Sequence, residues 1–226
     1  ISCLLIASSF LSVLLLMSRA AIISLFIVLI SVFLFSIFAN KKKYFLSTGL
    51  IILSLLIGIF SYNLINEKNA YNIIGERFSN VTNPTVDGSV NERLNFYSAA
   101  VNSIKDNPIL GIGYGNWKIK SIDLNKDIIA SYRVPYFVHN DFLQTTAEIG
   151  IIGGLCFIFF ILYPIWISFK KTIKHFKFNL DFMIFLIFLV YIIDAMLNFP
   201  IERPISLMYL FFTIVLFYKT EKYYLK

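Results

Sequence analysis

The sequence predicts an all-α membrane protein of about six transmembrane helices, the first of them truncated, with one long extracytoplasmic loop that contains amphipathic helices. Three observations predict it. The 226 residues are 58% hydrophobic and only 15% charged, with 24 Phe and 13 Tyr, a balance far from that of an ordinary water-soluble domain. The apolar residues gather into uncharged runs of the length hydrocarbon requires, about 20 residues for roughly 30 Å, because backbone polar groups there must be paired within the helix. The lysines cluster at every second connection between those runs.

The runs follow in order. Residues 1–17 are uncharged and begin in mid-run with Ile1, which suggests a fragment whose first helix has been cut. They lack the basic start and small-residue cleavage site of a signal peptide. Residues 20–39 and 44–62 carry no charge, nor does 149–169, and 182–199 carries only Asp194. Residues 205–218 are short for a span, so Tyr223, Tyr224 and snorkelling lysines would have to finish it. Cys3 and Cys156 both fall inside apolar runs, which indicates neither a disulfide nor a thiolate metal site.

Lysine and arginine accumulate in cytoplasmic connections. Lys41, Lys42 and Lys43 follow the second run, Lys170, Lys171, Lys174 and Lys177 follow the fourth, and Lys219, Lys222 and Lys226 close the chain. These ten lysines mark the inside of the membrane. Three units result: 1–62 with three transmembrane helices, 63–148 as an extracytoplasmic loop, and 149–226 with three transmembrane helices and a cytoplasmic C-terminus. Between 63 and 147, eight basic residues are matched by eight acids. The net charge of +7 is therefore a topology signal and excludes a nucleic-acid surface as its explanation.

Two arginines stand against that pattern. Arg19, in Ser18-Arg19-Ala20, falls at the outer end of a span with no acidic neighbour in sequence. A cation placed there is expensive and asks for a partner or a function, with interfacial snorkelling as the plainer reading. Arg203, in Asn198-Phe199-Pro200-Ile201-Glu202-Arg203-Pro204, reads first as an ion pair with Glu202 in a tight hairpin. Asp194, about one turn before the outer end of its span, is read either as functional or as the partner of Arg203 or another outer arginine.

The loop of 85 residues is far longer than two helices need, and such loops are usually functional. Ser89-x-x-Glu92 is a capping box, and Leu94, Tyr97, Val101 and Ile104 follow at helical spacing until Asp106-Asn107-Pro108, which predicts an amphipathic helix over 90–105. Arg93 lies in its first turn, where the dipole disfavours a cation, so either it has a function or it pairs with Glu92 or Asp87. Gly111-x-Gly113-x-Gly115 reads as a turn permitting close backbone packing in preference to a phosphate cradle, because the strand and helix such a cradle needs are missing. In Val138-His139-Asn140-Asp141, Asn140 or Asp141 can cap the helix that begins there. That places His139 at the positive end of a dipole, biased toward the neutral form that suits a general base. A hydrogen-bonded interfacial histidine is the alternative, and Asp141 is a candidate to orient the ring.

Taken together, Ser18-Arg19-Ala20, Arg93 with Asn107-Pro108-Ile109-Leu110-Gly111-Ile112-Gly113, His139-Asn140-Asp141 before Glu148-Ile149-Gly150-Ile151-Ile152-Gly153, and the Asn198 to Pro204 hairpin resemble the O-antigen ligase and polymerase family. Ala20 stands where many members have glycine. The resemblance implies a multi-pass glycosyltransferase of the bacterial inner (plasma) membrane, with 63–148 as its catalytic loop. It would move a glycan from undecaprenyl diphosphate onto a glycan or lipid acceptor, in contact with membrane lipid. It assigns Arg19 and Arg93 to the diphosphate and His139 to the acceptor hydroxyl. Asn140 and Asp141 join the candidate substrate-binding set. In-line displacement would invert the anomeric centre, and no carboxylate or histidine cluster at metal-ligand spacing occurs in the loop, so neither metal nor cofactor is expected. A polymerase that extends the glycan on its carrier is the alternative within the family. A lipid-linked glycan transporter, which would show polar or broken helices near the midplane, is disfavoured by the charge-free spans. A purely structural scaffold leaves Arg19 unexplained.

Overall fold

The computed structural model describes residues 2–16, 18–39, 42–65, 88–124, 136–175 and 177–224. All regular structure among them is helical: α1 (Ser2–Leu16), α2 (Arg19–Ala39), α3 (Lys42–Ile65), α4 (Gly88–Asp106), α5 (Trp117–Leu124), α6 (Asp141–His175), α7 (Leu180–Leu197), a 3-10 turn (Pro200–Glu202) and α8 (Pro204–Tyr224). Four described segments are long and apolar enough to cross a membrane, namely Ala20–Ala39, Tyr44–Tyr62, Asp141–Lys174 and Leu180–Leu197. Two of the six expected spans lie outside that group. The helix α1 has 15 described residues, and α8 carries Lys219, Glu221 and Lys222 near its end, although it runs through to Tyr224.

Apolar surface faces outward along these helices, as lipid-facing surface does: Phe26, Phe38, Leu46, Phe60, Ile152, Phe159 and Phe212 are all exposed. What joins the helices is partly polar. Ser36 and Thr48 share a hydrogen bond of 2.7 Å between α2 and α3, both buried, a contact that holds spans together where burial of apolar surface contributes little. Phe35 of α2 stacks on Phe182 of α7 at 4.4 Å, and Tyr44 of α3 closes the same cluster. Ile161, Ile184, Phe188, Tyr191, Leu210 and Phe217 form the core common to α6, α7 and α8. At one end of this core, Lys171 pairs with Glu221 and lies 4.0 Å from Asp181, tying the three helices together.

The segment between α3 and α6 has a core of its own, with Ala99, Ala100, Trp117, Val138 and Ala147 buried together. The helix expected over 90–105 is α4, one or two residues longer at each end. The capping side chain of Ser89 lies outside the described residues.

The glycine motif explains how this segment is fastened to α6. That helix is broken at Gly150, whose φ of 76° and ψ of 174° belong to glycine alone. The break strands the backbone groups on either side of it, and the turn after α4 satisfies them. Ile112 N–H donates to Ala147 O at 3.0 Å, Gly113 N–H to Glu148 O at 2.8 Å, and Ile151 N–H to Pro108 O at 2.8 Å. The approach is so close that a Cβ on Gly111 would overlap the Glu148 carbonyl, and one on Gly150 the Ile109 carbonyl. Glu148, 2% exposed, completes the joint by accepting from Gly115 N–H at 2.9 Å and Trp117 N–H at 3.2 Å. Close packing of the turn against the break is what Gly111 and Gly150 serve.

Candidate active site

The turn into α6 positions the histidine. Asn140 caps the helix, its Oδ1 accepting from Leu143 N–H at 3.0 Å, so of the two capping candidates Asn140 is the one used. His139 just before it has φ 62°, left-handed for a residue with a side chain, a conformation that costs about 1–2 kcal/mol and persists only where its surroundings impose it. They do so from two sides. Tyr97 of α4 directs its hydroxyl at the His139 carbonyl (3.1 Å) and the Met196 carbonyl (3.4 Å). Val138 N–H, one residue earlier, donates to Gln144 Oε1 at 3.1 Å.

The imidazole itself lies among aromatic rings. Phe96 is near-parallel to it at 6.4 Å and Phe199 meets it edge-on at 5.1 Å. Its Nδ1 is buried and has no hydrogen-bond partner among the described residues. Burial above all, and then the positive charges of Arg93 and Arg203, push the pKa of His139 down from its usual value to about 4. The ring is therefore neutral at physiological pH, as the sequence suggests, but chiefly because it is desolvated among cations.

Arg93 approaches from α4. Its Nη1 donates to the Leu197 carbonyl at 3.0 Å, the last residue of α7, where a helix leaves carbonyls without intrahelical partners and favours a cation. Its described partner is thus a helix end far along the chain. Asp87, one of the two acids considered for it, lies outside the described residues. Arg19 opens α2 beside Ser18, whose Oγ accepts from Ala21 N–H at 3.4 Å. Its side chain lies outside the described residues.

Three expectations are corrected. Asp141 does not orient the imidazole: it is fully buried, and its Oδ2 accepts from Ile201 N–H at 2.9 Å, which anchors the 3-10 turn to α6. Glu202 does not pair with Arg203. Its carboxylate takes Lys118 Nζ at 2.8 Å and Gln144 Nε2 at 3.3 Å, while the Arg203 guanidinium rests over the Phe199 ring at 4.5 Å. Among the described residues Asp194 forms no ion pair with Arg203 or another arginine; its Oδ1 accepts from Asn198 Nδ2 at 2.6 Å, within its own helix end.

The structure therefore brings Arg93, His139 and Asn140 to the place where α4, α6 and the end of α7 meet. It adds Tyr97, Phe199 and Arg203, which sequence reasoning did not place in the site. Tyr97 was legible only as one apolar position of an amphipathic helix. A half-buried tyrosine on such a face seeks a partner for its hydroxyl, which is the signal it gave.

A family model described as O-antigen ligase matches residues 4–158. The chain belongs to the O-antigen ligase family. No curated protein and no solved structure matches it. The matched stretch contains Arg19, Arg93, His139, Asn140 and Asp141 and ends before Phe199 and Arg203. As a member of the O-antigen ligase family, with helices apolar enough to cross a membrane, the protein is a bacterial membrane enzyme that transfers glycosyl groups in polysaccharide synthesis.

Proposed function

We propose that this O-antigen ligase family member joins a glycan from undecaprenyl diphosphate to an acceptor sugar, at the outer face of the inner membrane. Residues 63–148 form the extracytoplasmic catalytic unit, set between the membrane units 1–62 and 149–226. The observation that carries the reading is the neutral, desolvated His139 held in a left-handed turn within the electrostatic reach of Arg93. A base and a cation side by side are what the reaction requires.

The acceptor hydroxyl attacks the anomeric carbon from the face opposite the diphosphate while His139 takes up the hydroxyl proton. The bond between the anomeric carbon and the phosphate oxygen breaks, its electron pair leaves with the diphosphate, and the anomeric centre inverts. Arg93 and Arg19 stabilise the departing charge by contact with phosphate oxygens, without a metal ion. Asn140, whose Oδ1 is spent on the helix cap, offers its amide N–H groups to the sugar. A base of pKa about 4 is weak; burial is the first cause of that value, and Arg93 and Arg203, uncompensated here, lower it further. The diphosphate offsets those charges, so donor binding raises the basicity of the ring just before it is needed.

Arg93→Lys and Arg19→Lys keep the charge and remove the planar fork, so each is expected to lower transfer by about 10- to 100-fold with protein level unchanged. Near-normal glycan transfer by both variants in purified membranes rules out the diphosphate role. The membrane side has its own check. A cysteine placed at position 116 is expected to react with an impermeant reagent added outside, and cysteines at 42 and 172 are expected to be protected. Labelling of position 42 from outside overturns the orientation.

A further inference from the structure

We propose that Arg203 is a further diphosphate-binding residue, which grips the lipid-linked donor together with Arg93 beside His139. The assignment rests on the glycan-transfer reading above and extends it to the hairpin between α7 and α8, beyond the residues that the family model matches. Its basis is the way each neighbouring charge is used. The acid next to it, Glu202, is occupied by Lys118 and Gln144, and Asp194 by Asn198. Arg203 is exposed and forms no ion pair among the described residues.

It is nevertheless held in place. Its Cζ lies 4.5 Å above Phe199, which is itself stacked on Phe137 at 4.1 Å and bounded at 5.1 Å by the His139 ring. A guanidinium that rests over a ring uses its face there and keeps the N–H donors along its edge for an oxyanion. The backbone beneath it is fixed as well. Pro200 and Pro204 bracket the hairpin, Arg203 N–H donates to Pro200 O at 3.1 Å, and buried Asp141 binds Ile201 N–H from the helix that begins beside His139. The result is two guanidiniums, one from α4 and one from the hairpin, both within electrostatic reach of the His139 ring. Concentrated positive charge of this kind attracts an anion, and a diphosphate has oxygens enough for two forks.

The test measures equilibrium binding of a radiolabelled undecaprenyl diphosphate without glycan to the intact protein in lipid nanodiscs, alongside transfer kinetics that separate donor from acceptor KM. Arg203→Gln is expected to weaken diphosphate binding about tenfold or more and to raise donor KM, with acceptor KM and melting temperature unchanged. Arg203→Lys is expected to recover only part of the loss. Equal binding by wild type and Arg203→Gln overturns the proposal, as does full recovery in Arg203→Lys or an effect confined to acceptor KM. Wild-type protein that binds no undecaprenyl diphosphate at all would instead overturn the glycan-transfer reading on which it rests.

Discussion

Replacing His139 by Ala is expected to reduce glycan transfer by roughly 10²-fold or more, the usual scale for losing a positioned acid–base group, while donor binding persists. His139→Gln separates chemistry from packing. Glutamine can replace one hydrogen bond but cannot take up a proton near neutral pH, so it is expected to restore little if His139 is a base and much if it only packs the turn. The pH profile gives a second readout. Neutral imidazole is the active form, so the rate falls as pH drops through the pKa and levels off above it. In kcat/KM, which reports the free enzyme, the acid limb is expected near the value of about 4 that burial, Arg93 and Arg203 impose. In kcat, which reports the complex, the limb is expected at higher pH, because bound diphosphate offsets the two arginines. Loss of both limbs in His139→Gln, measured by steady-state transfer, checks the assignment.

Gly150→Ala is expected to have the largest effect on stability. The native φ of 76° with ψ of 174° is closed to an L side chain, and the new Cβ would overlap the Ile109 carbonyl, which is backbone and has nowhere to go. Relief requires parting the turn from the break in α6, which gives up the hydrogen bonds to Ala147 O, Glu148 O and Ile151 N–H. A loss of about 3 kcal/mol or more follows, to be seen as a lowered melting temperature or as loss of protein from the membrane. Gly115→Asn is the control. Its φ is also 76°, but nothing lies within 4 Å of its Cβ position, and asparagine tolerates the left-handed region, so a cost under about 1 kcal/mol is expected. Comparable losses in both variants would mean that backbone conformation alone, and not the close approach of the two segments, makes Gly150 necessary.

The spans were legible because hydrocarbon leaves a chain few solutions: uncharged runs such as 20–39 and 182–199 can pair their backbone groups only as helices. The Asn140 cap and the glycine turn were legible because both are local devices. Two of the corrections share one origin, which is that proximity in sequence is not proximity of side chains. Glu202 and Arg203 are adjacent, and His139 and Asp141 only two apart, yet neighbours at such offsets point in different directions around a turn or helix start. Their true partners come from afar. Arg93 bonds a carbonyl 104 positions later, Lys118 a carboxylate 84 later, and Asp141 an amide 60 later. No period or motif encodes such separations, since they follow from how α4 and the hairpin pack against the joint between α6 and α7.

The most direct measurement is a single turnover: purified protein in nanodiscs, a glycan-loaded undecaprenyl diphosphate labelled in both lipid and sugar, and an acceptor glycolipid. Wild type is expected to release undecaprenyl diphosphate and to form an acceptor product of inverted anomeric configuration in equal amounts. His139→Gln is expected to bind the labelled donor and release neither product. A wild-type protein that leaves the donor intact, or a His139→Gln protein that turns it over at the wild-type rate, would contradict glycan transfer with His139 as its base.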